Sequence, residues 1–393
     1  MEQRRFSGKS QWYHETQSSQ NLTNVQPLVP EVPQVDDRFL LDLKLADPPL
    51  LRGIPWAPIA RSLSNLLLPE QVETNRLHTF TRYERLTTAL TVAQVFGVQR
   101  LCNYYAALLA PECSSDSSRE SNRRLTQITQ FSRQLASHPT SIKATSLMEL
   151  DECGLSIEDI ITFTQLIGFI GFQAYTIAVL QAFMHFPVRL LPGLNAQQDA
   201  DGAIFNHPEG IWQSDLAALE RRYASEEQLH ALKTGRKSAT LHELAGLLAH
   251  DPQMLMGLEQ LTRQFWPTGL PEDDDGRLVM MLVSRINGSL TCFNSAASHW
   301  QGAPSLPDTV RQGESAVDAF SQHHPRENAI MQTVQLLTRS PDRFSYTQLA
   351  PLFAQGFTEQ QAFHLLIHSG LVGWLNRLKT GLGTLNAPKT FPP

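Results

Sequence analysis

Two stretches of this chain decide how it folds: GLSIEDIITFTQLIGFIGFQAY, Gly154–Tyr175, and GFTEQQAFHLLIHSGLVGWLNR, Gly356–Arg377. Each opens on a glycine, places a hydroxyl residue two positions on, and then runs into a long apolar segment. A glycine there closes one helix in the left-handed conformation, and Ser156 or Thr358 caps the next, with acidic or amide residues in its first turn. Seventeen residues after the opening glycines, Gly171 in IGF and Gly373 in VGW fall in the same register. One unit is therefore written twice, 202 residues apart.

The match extends outward from these segments. The first copy begins at YERLTTALTVAQVFGVQRLCNYYAAL, the second at DDGRLVMMLVSRINGSLTCFNSAASHW. Each copy reads as a helix, a cysteine-bearing helix, an amphipathic segment, a turn and a last apolar helix. Apolar residues recur at three- and four-residue spacing, and no run alternates as a strand would. The predicted fold class is all-α, with two tandem helical domains over 35–186 and 187–393. Residues 1–34 are polar, rich in Gln and Ser, and carry Pro27, Pro30 and Pro33; a disordered N-terminal arm is expected there. The segment NAQQDADGA, 195–203, reads as a linker, and residues 36–80 and 238–265 as lead-in helices.

Composition narrows the function classes. The 393 residues carry a net charge of −6, and no basic stripe with interleaved aromatics is present, so no nucleic-acid partner is predicted. Four cysteines without a local C-x-x-C pair do not make a secreted disulfide framework. The first twenty residues lack an apolar core segment, so a reducing, cytoplasmic setting is expected. Ile160–Met184 holds no charged residue and is long enough to cross a bilayer. Its Thr and Gln residues, and a partner copy carrying His364, His368, Arg377 and Lys379, predict a core or interface helix and no membrane partner.

No cofactor or metal site is predicted. HELAG, beginning at His242, starts like a zinc helix but has Gly246 where the second histidine must stand. His323-His324 lies in a polar loop and is expected to be exposed. Glu272–Asp275 follows Pro271 at a helix start, where carboxylates complement the helix dipole.

The chemistry concentrates in RINGSLTCFNSAASHW, Arg285–Trp300. With Thr291 as cap, Cys292 falls in the first turn of a helix, where free N–H groups favour a thiolate. Ser295 and His299 follow three and seven residues later, on the same face. Gly288 is expected to end the preceding helix in the left-handed conformation. The candidate catalytic residues are Cys292, His299 and Ser295.

This arrangement, with SRING before the cysteine and GWLNRLKTGLG near the end, resembles the alkylhydroperoxidase D (AhpD-like) and carboxymuconolactone decarboxylase superfamily, in its peroxidase-related branch. The resemblance covers roughly residues 36–386. Family peroxidases read E-x11-C-x-x-C-x-x-x-H. Cys292 falls on the first motif cysteine and His299 on the histidine. Ser295 stands where the family has its attacking cysteine, and Met280 where it has the glutamate. In the first copy only Cys102 aligns; Leu90, Tyr105 and Leu109 stand at the other positions. The resemblance implies tandem AhpD-type domains, a homo-oligomer (a trimer or higher assembly), and a small-molecule substrate or external thiol reductant.

Three functions follow as expectations. The first is a peroxidase-like thiol oxidoreductase working through Cys292, since serine cannot form or resolve a sulfenic acid. The second is a lyase or decarboxylase acting on a small acidic metabolite, with Arg285 or Arg377 as a carboxylate fork. The third is a non-catalytic, oligomeric metabolite-binding protein that keeps the fold.

Overall fold

The computed structural model describes residues 35–45, 54–112, 118–188, 196–206 and 211–386. The expected disordered arm, 1–34, and Cys113 lie outside them. The first half holds α1 (Ala57–Leu67), α2 (Arg82–Phe96), α3 (Gln99–Leu109), α4 (Arg119–Ser137), α5 (Ala144–Glu152) and α6 (Ile157–Phe183). The second adds α7 (Glu226–Gly235), α8 (Ala245–Leu248), α9 (Pro252–Phe265), α10 (Asp274–Asn287) and α11 (Leu290–Ala297). It closes with α12 (Leu306–Gln312), α13 (Glu314–Ser321), α14 (Pro325–Arg339), α15 (Ala350–Ala354) and α16 (Glu359–Leu382). Among the described residues the only strands are β1 (Ile211–Ser214) and β2 (Gly383–Asn386), an antiparallel ribbon pairing Trp212 with Leu385. The chain is predominantly helical, as the apolar spacing predicts.

The turns ahead of α6 and α16 are built alike. Gly154 and Gly356 take φ of 84° and 82°. The N–H of Leu155 donates to the carbonyl of Leu150, and that of Phe357 to the carbonyl of Leu352, each closing the preceding helix five residues back. The Ser156 hydroxyl accepts the Asp159 N–H and the Thr358 hydroxyl that of Gln361, and the acidic or amide side chain reaches back to the cap. Both helix starts are therefore capping boxes, each cap contributing about 1 kcal/mol.

α6 and α16 form the most extensive helix pair and the centre of the core. Glycines let them approach closely. A Cβ on Gly168 would lie 2.1 Å from Trp374 Cδ1, and one on Gly370 would lie 3.1 Å from Phe172 Cδ2. Phe172 and Trp374, also 202 residues apart, stack at 6.2 Å. Several polar side chains of α6 find partners inside the protein, while the buried Gln165 Nε2 has none among the described residues. Thr164 and Thr176 donate to the carbonyls four residues back. Gln165 Oε1 accepts the Trp374 indole N–H at 3.0 Å, and Gln173 bridges Tyr105 to the carbonyls of Arg38 and Phe39. α6 is long and apolar enough to cross a bilayer, but 94% of its most apolar window is buried against protein.

The halves also exchange hydrogen bonds. Tyr175 of α6 donates its hydroxyl to the Thr338 carbonyl at 2.9 Å, and Arg377 of α16 donates to the Ala136 carbonyl at 2.7 Å. Donors and acceptors are both related by the 202-residue spacing. The acceptors sit at the ends of α14 and α4, each followed by a one-turn 3-10 helix beginning at Pro341 or Pro139. A single contiguous hydrophobic core runs through both halves.

Candidate functional site

α10 ends as the sequence implies, with Gly288 at φ 78° and Arg285 in the last turn. α11 then starts at once. Its cap position belongs to Ser289 rather than Thr291, because Gly288 turns the chain so abruptly that Leu290 is already helical. Ser289 makes no side-chain cap bond, and its buried Oγ has no partner among the described residues. Cys292 is the third residue of the helix, still in the first turn, and is 3% exposed.

Ser295 and His299 do not converge on it. α11 stops at Ala297, so His299 leaves the helical face. Its exposed ring turns back onto its own chain, with Nδ1 2.9 Å from the Ser295 carbonyl and 3.1 Å from the Ser298 hydroxyl. No hydrogen bond joins it to Cys292 or to the Ser295 hydroxyl, which is itself half-buried. Met280 on α10 is 1% exposed and packs in the hydrophobic core.

The charged group coupled electrostatically to Cys292 is Lys379, near the end of α16. Lys379 is buried, and Nζ donates to Glu243 Oε2 at 2.6 Å. Burial alone pulls its pKa down. Coulombic interaction with Cys292 and with the Glu243 carboxylate, and the hydrogen bond to Glu243, more than reverse this, so the ammonium is held above its usual range. Trp212 fixes this stretch of α16 by donating its indole N–H to the Lys379 carbonyl at 2.8 Å. Glu243 belongs to HELAG. Its work is an ion pair across the second half, while His242 is exposed. A lysine in the buried last turns of α16 was the available signal for this cluster, but its partner lies 136 residues earlier in the chain.

Cys102 differs in placement and chemistry. The N–H of Cys102 bonds the Val98 carbonyl, as that of Phe293 bonds the Ser289 carbonyl, so Cys102 corresponds to Phe293 and Leu101 to Cys292. The cysteine alignment read from sequence is off by one residue. Burial pushes the Cys102 thiol up to about 12.

The two arginines proposed as carboxylate forks are committed to main chain. Arg285 donates to the carbonyls of Ala200 and Arg311 and lies over the Phe205 ring. Arg377 is 0% exposed, donates to Gly373 and Ala136, and lies over the Phe96 ring. Among the described residues no three His, Cys, Asp or Glu side chains are grouped to hold a metal ion. No known family model matches this chain, and no curated protein matches it.

Proposed function

We propose that this chain is a thiol oxidoreductase of the alkylhydroperoxidase-related type, working with one cysteine. Cys292 is its redox thiol and Lys379 the cation that faces it. One observation carries the reading: a cysteine in the first turn of α11 is electrostatically coupled to a buried ammonium held in place by Glu243. Helix N–H groups and an adjacent cation are the features that favour a thiolate over a thiol.

The reaction is the one-cysteine form. The Cys292 thiolate attacks the terminal oxygen of a hydroperoxide, the O–O bond breaks, and an alcohol leaves with a proton from the medium. The resulting sulfenic acid condenses with a low-molecular-weight thiol, releasing water and forming a mixed disulfide. A second thiol attacks the disulfide and frees Cys292 as thiolate, with a small-molecule disulfide as the oxidised product. Ser295 takes no electrons.

The tandem architecture belongs to the same proposal. The matched turns, the reciprocal hydrogen bonds and the glycine-mediated crossing of α6 and α16 support two AhpD-type units, of which only the second keeps a thiol at the site. A cytoplasmic homo-oligomer taking a small-molecule substrate and an external thiol completes the reading.

Alkylation across pH, read by mass spectrometry with Cys102 and Cys153 as internal references, tests the thiol. We expect Cys292 to be modified at least a hundredfold faster than Cys102 at neutral pH, and trapped by dimedone after peroxide. Lys379→Met should slow it about tenfold, the effect of losing one neighbouring charge. Equal rates at Cys292 and Cys102, or peroxide consumption unchanged by Cys292→Ala, would overturn the reading.

A further inference from the structure

A second region of the molecule carries a feature that the thiol chemistry does not use. Between the end of α9, the start of α10 and the first half of α16 lies a cleft of about 400 Å³. Along α16 it is centred on His364 and His368, eleven residues from Lys379 at the nearer histidine, or about 16 Å at 1.5 Å per residue. It is a separate place from the Cys292 cluster.

Two buried polar atoms on its wall lack a partner among the described residues: Trp266 Nε1 and His368 Nε2. Their side chains are 2% and 3% exposed, and the two rings meet edge to face at 4.9 Å. A buried donor or acceptor left unpaired costs about 1–3 kcal/mol, so such atoms are normally satisfied by water or a bound group. Burial, with the charge of His364 second, lowers the His368 pKa to about 3, so the ring is neutral and can donate or accept.

The charge around the cleft is one-sided. Glu272, Asp273 and Asp275 line it, and no lysine or arginine does. Arg326 takes up Asp275 at 2.5 Å, and Arg277 is bound to Asp274 and to the Glu272 carbonyl. Asp273 Oδ1 accepts the Gly276 N–H, and the Glu272 carboxylate has no hydrogen-bond partner among the described residues. Phe265 and Trp266 supply flat apolar walls, while the Phe357 ring already carries the Arg326 guanidinium, 4.1 Å from its centroid. The first half shows how the same place looks when closed. Counting back twelve residues from the capping glycines, Gly276 corresponds to Arg85. Arg85 fills its side with a buried guanidinium bonded to the carbonyls of Phe80 and Leu67. At Gly276 nothing projects, and His368 Cε1 stands 3.3 Å from where a Cβ would be.

We propose that this cleft binds a small organic cation: an ammonium for the Glu272–Asp273 side, a flat apolar body for the aromatic walls, and a hydrogen-bonding oxygen for Trp266 and His368. A carboxylate-lined aromatic pocket attracts a cation by Coulomb and cation–π terms and repels an anion of the same shape.

Three probes of one shape test this on the full chain: tyramine, its neutral alcohol 4-hydroxyphenylethanol, and the anion 4-hydroxyphenylacetate. Histidine ring signals, assigned with His364→Gln and His368→Leu, report the site. Tyramine should shift both histidines saturably and bind at least tenfold tighter than the anion. The exposed variant Glu272→Gln should weaken tyramine at least threefold and leave the alcohol unchanged. Trp266→Phe should weaken both. If the anion binds as tightly as tyramine, if binding leaves these two histidines unmoved, or if no probe shifts them because the cleft holds only water, the proposal falls.

Discussion

The two halves of this molecule repeat the same helix-start turns and crossing hydrogen bonds 202 residues apart and differ in the side chains set around them. In the first half Arg85 is buried in its own pocket, Leu166 faces the core, and the third residue of α3 is Leu101. At the corresponding places the second half has Gly276, His368 and Cys292. The first half has closed its sites with well-partnered or apolar side chains. The second leaves a cleft, an unpaired imidazole and a thiol beside a buried lysine. Titratable groups without local partners are costly in a protein interior, and they accumulate where chemistry or binding is done. Both proposals, the thiol centre and the cation cleft, rest on the second half's side of this contrast.

The histidine at 368 offers the sharpest way to break this comparison. Its folded pKa, about 3, lies below the unfolded value of 6.5. As pH falls the unfolded chain takes up the proton first. The stability contribution of the neutral ring is therefore fully present above about pH 6.5 and lost progressively towards pH 3, roughly 4–5 kcal/mol over the whole window. His368→Leu installs the residue of the first half. It should flatten the acid limb of stability in urea melts between pH 6.5 and 4, and an unchanged slope would show that His368 titrates normally.

Arg377 and Tyr175 come next, because they are equivalent in place but unequal in chemistry. Arg377→Ala leaves a buried cavity and an unpaired Ala136 carbonyl, a loss of about 3–5 kcal/mol. Tyr175→Phe removes a single hydrogen bond to Thr338 and should cost about 1 kcal/mol. Equal losses in chemical denaturation would contradict the asymmetry of the two crossings.

The smallest effect compares the caps. Thr358→Ala removes one capping hydroxyl and should cost about 1 kcal/mol. Ser156 also donates to the Leu77 carbonyl, so Ser156→Ala should cost more by several tenths of a kcal/mol. Thermal melts of the pair measure the difference.

Much of the fold was readable because its signals are local. A glycine with positive φ, a hydroxyl two residues on and an acidic or amide residue three further announce each helix start whatever the rest of the chain does. The left-handed Gly288 was readable for the same reason. Of the candidate residues, the sequence placed Cys292 in the first turn of a helix, as the fold has it. Ser295 and His299 follow a periodicity that assumes the helix continues, and α11 stops at Ala297. Met280 reads as an empty place in a motif, and in the fold it is core. Arg285 and Arg377 read as free charges, whereas main-chain carbonyls from distant segments claim them.

The chain by itself determined the helices, their caps, the repeat and the burial of the long uncharged segment, since periodicity and turn chemistry act over a few neighbouring residues. The tertiary structure decided which polar groups meet: Lys379 with Glu243 beside Cys292, and His368 with Trp266 beneath the cleft. Those pairings join residues about a hundred or more positions apart, and only the packing of α16 against the second half brings them within a few ångströms.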